Sequence, residues 1–113
     1  MSSLNLSYCP QMAIVLLPKG PFVEWKNVLT QKGLYSVRDK DPSVYLLPEH
    51  YESPLEVEDD LKNIYLPLFK NELDQIDDSA ISQPRDKPYE MFREWFEVKI
   101  VMDVFKLESG ERQ

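Results

Sequence analysis

The 113-residue chain holds a single cysteine, Cys9, which rules out an internal disulfide and a cysteine-based metal cluster. Its three glycines are too few for a phosphate-cradling loop of the Rossmann or Walker type. One histidine, His50, is present, so any metal site would have to be built mainly from carboxylates. No Gly-x-Ser-x-Gly turn offers a nucleophilic serine. The longest apolar run, MAIVLL at residues 12–17, is far below the ~20 residues that cross a bilayer. No basic stretch followed by an apolar core marks a secretory leader. The expectation is a cytoplasmic protein with no membrane segment, no cofactor and no metal.

Basic charge is scarce as well, and the formal net charge is −7. Residues 1–52 carry five basic and five acidic side chains, residues 53–83 carry a net −6, and residues 84–113 a net −1. A nucleic-acid backbone needs a basic footprint, and none is present, so nucleic acid is not expected as a partner. The acidic central segment reads either as a solvated face that aids solubility or as a docking surface for a basic protein partner.

What is present is globular in kind. Hydrophobic residues make up 42% of the chain and aromatics 12%. One domain of this length buries roughly 65% of its unfolded surface. The apolar pattern sets that domain at residues 12–107, with residues 1–11 and 108–113 read as tails. MAIVLL stops at Pro18 and reads as a strand covered on both faces. Pro21 suits a first helical turn, Phe22, Trp25 and Leu29 make an apolar stripe, and Lys32 and Gly33 fit the helix end. SVYLLP, residues 43–48, reads as a second strand. Strand, helix and strand in this span have the size of a parallel βαβ unit.

Ser53, Pro54 and Glu56 form a capping box that starts a second helix. Glu58, Asp59 and Asp60 place negative charge near its positive pole. Its buried stripe is read as Val57, Leu61, Ile64, Tyr65, Leu68 and Ile76, with Phe69 and Leu73 at the margin. Pro67 removes one helical hydrogen bond and should bend or split the helix. A polar loop follows at residues 77–87, then a short aromatic helix, YEMFREWF, opened by Pro88. Trp25, Phe92, Trp95 and Phe96 read as core rather than as a ligand cage. In a last strand at residues 98–107, Val98, Ile100, Met102 and Val104 share one face; Lys99, Val101, Asp103, Phe105 and Leu107 share the other. Asp103 is there either as a half-exposed strand carboxylate or as a desolvated functional one.

His50 follows the second strand and is flanked by Glu49, Tyr51 and Glu52. The carboxyl ends of strands are where open α/β sheets bind ligands. His50 reads as a solvated loop residue or as a general base. Glu49 and Asp103, if they converge, would suit a hard cation such as Mg²⁺.

The segments AIVLLPKGPFVEW, VYLLPE, LFKNEL and MFREWFEVKI, in that order over residues 12–107, resemble an uncharacterised family of small bacterial proteins of about this length. The best marks are Pro48-Glu49 and Glu94-Trp95-Phe96. Where that family carries tryptophans after the third segment, this chain has Asp74-Gln75-Ile76. The resemblance implies a fold and a bacterial setting and supplies no activity.

The architecture expected is β-α-β-α-α-β, of α/β or α+β class, with a small mixed three-stranded sheet. The first two strands should be parallel and the third antiparallel to them. Strands apolar on both faces call for a second helical layer or a homodimer. The expected function is a non-catalytic interaction or regulatory module with Glu56, Glu58, Asp59 and Asp60 as contact surface. The alternative is a small carboxylate-dependent enzyme using Glu49 and Asp103, with a divalent metal.

Overall fold

Short apolar runs and longer amphipathic stretches give eight elements in the structure, a computed structural model that describes residues 4–30 and 42–109. They are β1 (Leu4–Cys9), β2 (Ala13–Pro18), α1 (Gly20–Thr30), β3 (Ser43–Leu46), α2 (Pro54–Asp74), α3 (Tyr89–Trp95), β4 (Phe96–Val101) and β5 (Val104–Ser109). The class is α+β. The end of the first helix expected at Lys32 and Gly33 lies outside the described residues.

The three apolar segments do lie side by side, in a sheet of order β3-β2-β4. Both pairings are antiparallel, with Ile14 opposite Tyr45 on one side and Ile100 on the other. The third strand is antiparallel to the first, as expected, but the first two are not parallel, so the third runs in the same direction as the second rather than against it. A parallel βαβ unit follows when the crossover is short. Here the twelve residues between Thr30 and Ser43 can span ~40 Å, enough to re-enter the sheet from either end.

Period-two alternation sorts the sheet into unlike faces. Ile14, Leu16, Tyr45, Phe96, Val98 and Ile100 join the core formed with Phe22 of α1, Val57, Leu61, Phe69 and Leu73 of α2, and Phe92 of α3. All three helices thus cover one face, and the second helical layer is not there among the described residues. The other face carries Ala13, Val15, Leu17, Val44, Leu46 and Val101 with Glu97 and Lys99, and Val44 and Leu46 are exposed.

Phe22, Phe69, Phe92 and Phe96 are the largest fully buried side chains. Their rings meet at 5.0 Å (Phe22–Phe96) and at 5.7–5.8 Å for Phe69–Phe92, Phe69–Phe96 and Phe92–Phe96. Burying each stabilises the fold by roughly 1.5–3 kcal/mol. Phe96 earns its place as the first residue of β4 rather than the last of α3: the backbone turns extended there, at φ −137° and ψ 140°. Trp25 and Trp95 pack on this cluster, and Trp25 Nε1 donates to the Ser82 carbonyl at 2.9 Å, tying α1 to the loop before α3.

α2 is neither split nor shortened at Pro67; it runs unbroken over 21 residues. Pro67 faces solvent, and the residues on either side of it in sequence, Leu61 and then Phe69 and Leu73, are anchored in one core. That shared anchorage outweighs one missing hydrogen bond. Phe69 and Leu73 are fully buried rather than marginal, and Glu72 is buried between them, so the buried stripe is rotated toward residues 69, 72 and 73.

Residues 4–9, read from sequence as tail, form a strand. β1 pairs antiparallel with β5 in a separate two-stranded ribbon, Leu6 opposite Leu107 and Tyr8 opposite Phe105. The last strand expected at 98–107 is therefore two strands, β4 and β5. Cys9 pairs with Val104 and Ala13 with Val101, so residues 10–12 face only residues 102 and 103. Three residues against two break the ladder in the manner of a bulge, and Pro10 has no N–H to bridge the gap.

Candidate functional site

The capping box forms at the start of α2. Ser53 Oγ accepts the Glu56 N–H at 3.2 Å, and Glu56 Oε1 accepts the Glu52 N–H at 3.0 Å, one residue before the cap itself. With that end fixed, successive turns of α2 aim Glu56, Asp59 and Asp60 at the β3–α2 loop. There they meet His50 and Tyr51 and line an open cleft of about 390 Å³. The Tyr51 ring is buried and packs tilted against the His50 ring, 4.2 Å between centroids. Its hydroxyl donates to Asp60 Oδ2 at 2.5 Å, and Asn63 Nδ2 donates to Asp60 Oδ1 at 2.9 Å.

These bonds set the charge of the cleft. The Tyr51 hydroxyl, then the Asn63 amide and the nearby His50, hold Asp60 below the usual carboxylate value, so it stays ionised. The same bond, with partial burial and the negative charge of Asp60 and Glu56, pushes the Tyr51 hydroxyl up to about 12. Asp59 makes no hydrogen bond or ion pair among the described residues, and no lysine or arginine among them pairs with Glu56 or Asp60. The cleft is thus a concentration of carboxylates whose neutralising cations the described chain does not supply. Chemically it is suited to a guanidinium or an ammonium group.

Of the seven residues singled out in the sequence, four converge here: His50, Glu56, Asp59 and Asp60. Glu58 does not. It accepts from Arg93 at 2.7 Å, and Arg93 also donates to the Tyr89 hydroxyl, clamping α2 to α3. Glu49 is exposed in the turn after β3, and Asp103 is exposed in the break between β4 and β5. β3 and β4 are the two outer strands of the sheet, so Glu49 and Asp103 follow strands at opposite edges, and neither lines the cleft of His50, Glu56, Asp59 and Asp60. Among the described residues, no group of three or more His, Cys, Asp or Glu side chains is placed to hold a metal ion, and no helix is long and apolar enough to cross a membrane.

No protein-family profile, curated protein or solved structure matches the chain.

Two polar features escaped the sequence reading. Glu72 is fully buried, its Oε2 accepting from the Tyr45 hydroxyl of β3, which in turn accepts from Asn71 Nδ2 at 2.9 Å. Burial above all drives the Tyr45 hydroxyl well above its usual value. The only signal for this pair was a glutamate next to the apolar stripe. The second feature is a shallow groove of about 970 Å³ beside the middle of α2, where Leu66, Pro67 and Pro88 adjoin Lys70, Arg85 and Lys87. The alternation of Arg85 and Lys87 between Pro84 and Pro88 was the readable trace of it.

Proposed function

We propose that the protein is a non-catalytic interaction module of the bacterial cytoplasm that takes basic partners on the acidic start of α2. The observation that carries this reading is the cleft of His50, Glu56, Asp59 and Asp60, in which Asp60 is kept ionised and Asp59 is left without a cation. Structural carboxylates are ordinarily spent on partners within the fold, as Glu58 is on Arg93 and Asp74 on Lys70 at 2.6 Å. Glu56 and Asp60 of the cleft are spent on backbone, tyrosine and asparagine, which fixes their positions without cancelling their charge, and Asp59 is spent on none among the described residues. A surface of this kind steers an oppositely charged partner and sets its orientation. The likeness to small bacterial proteins around Pro48-Glu49 and Glu94-Trp95-Phe96 belongs with this proposal and adds no activity to it.

The test is a cross-linked pull-down from bacterial lysate with the wild type and with Glu56→Gln/Asp59→Asn. Both substitutions keep size and remove charge. The expected result is loss of a set of basic proteins from the double variant, together with a steep decline of wild-type capture as salt rises. An unchanged set of captured proteins ends the reading.

A further inference from the structure

The β1–β5 ribbon has one apolar face and one polar face. Directly opposed residues in an antiparallel pair share a face, so Leu4, Leu6, Tyr8, Phe105 and Leu107 lie together with Ser109 at the end, while Asn5, Ser7, Lys106 and Glu108 lie on the other side with Cys9 and Val104. The five apolar side chains are 57–73% exposed. Tyr8 and Phe105 already stack edge to face, centroids 5.5 Å apart. Neither strand packs extensively on any helix or on the three-stranded sheet. The Cα radius of gyration, 17.0 Å, exceeds the roughly 13 Å of a compact chain this long, in keeping with a ribbon that projects from the body.

We propose that this apolar face is the docking surface for a second copy of the chain, in a two-fold dimer whose ribbons pack face to face. Two-stranded ribbons are at best marginally stable in water unless a further layer covers them, and the described elements of its own body supply no extensive one. The five side chains offer on the order of 500 Å² per copy, so a face-to-face pair covers about 1,000 Å², the lower bound for a specific interface. Charge selects the occupant. The chain bears −7, so two copies repel over most of their surface, yet residues 4–9 are uncharged and the only charges of β5, Lys106 and Glu108, are opposite in sign and point away from the apolar face. A second copy can therefore approach along the ribbon without opposing like charge. An anionic membrane is disfavoured by the same net charge. A two-fold axis sets the same patch of both subunits against each other, so the apolar face of one ribbon meets that of the other. This dimer is independent of the acidic cleft, which remains open in it.

Sedimentation equilibrium of the full chain across micromolar concentrations should give a mass rising to twice 13.3 kDa. Leu6→Asp and, separately, Leu107→Asp should weaken self-association at least about thirtyfold, with the near-ultraviolet circular dichroism of Trp25 and Trp95 unchanged. Ser7→Asp, on the polar face, should leave it intact. Hydrogen exchange of the unmodified chain gives a measurement free of any folding defect: on dilution, amides of residues 4–9 and 104–109 should lose protection while those of α2 keep theirs. A wild type that stays at 13.3 kDa throughout overturns the proposal. So does a dimer that survives both aspartate substitutions, ribbon protection that ignores concentration, or a monomer that instead co-sediments with neutral phosphatidylcholine vesicles.

Discussion

The hydrogen bond between Tyr51 and Asp60 links the β3–α2 loop to the second turn of α2 and gives stability a readable pH dependence. Asp60 has a folded-state value below its ordinary one, so its contribution is complete above about pH 4 and is lost as pH falls through that lower value. Tyr51 is displaced the other way, from 10.0 to about 12, so its contribution is complete below its ordinary value and is lost as pH rises toward the folded one. Urea midpoints of the wild type and Tyr51→Phe should therefore differ most in the neutral range and converge at both extremes. A difference that held constant from acid to alkali would show that the bond does not form. His50 was legible in the sequence as a residue of interest because it is the only histidine and follows a strand. Its true companions were not legible, because they depend on which face of α2 turns toward the loop. Glu58 shows why: it lies among the same acids in sequence, yet its direction on the helix hands it to Arg93.

At the scale of elements, local chemistry was a good guide where one signal acted alone and a poor one where packing could overrule it. Ser53, Pro54 and Glu56 start α2 where the capping rule places the start. Pro67 was weighed by the same local logic and the packing overruled it. A proline within a helix costs about 3 kcal/mol relative to alanine, and here the buried side chains on both flanks sustain the helix through it. Pro67→Ala should then restore one backbone hydrogen bond at an exposed position without touching the core. The proline also restricts the unfolded chain, worth about 0.4–1 kcal/mol in its favour, so the net expected gain is about 2–2.6 kcal/mol in stability, seen as a higher urea midpoint with an unchanged slope. A loss of stability would mean that Pro67 packs in a way its exposure does not show. Strand direction was beyond local reading altogether. Nothing in AIVLLP or SVYL encodes parallel or antiparallel pairing, and the connection between them is long enough to permit both.

The whole molecule divides into a body and a ribbon, and the core shows where the division falls. Every residue of the buried cluster lies at Met12 or beyond and none beyond Phe96, with Val98 and Ile100 packed at its edge. β1 therefore adds no side chain to the core, although its pattern of Leu4, Leu6 and Tyr8 alternating with Asn5, Ser7 and Cys9 is that of a strand. From sequence it reads as a tail because a strand is recognised partly by the body it covers, and among the described residues this one covers none of the core. If the division is real, a chain lacking residues 1–9 should keep its near-ultraviolet signature, since Trp25 and Trp95 pack within the aromatic cluster. Its unfolding free energy should change by no more than about 1 kcal/mol against the 5–15 kcal/mol typical of a domain. The amides of residues 104–109 should meanwhile exchange at unprotected rates, because β1 is the strand to which β5 is paired among the described residues. Collapse of the body on this deletion would mean that the bulge at residues 10–12 transmits stability from ribbon to sheet. Persistence of the body makes β5 an arm held in shape by β1 and by whatever covers their common face.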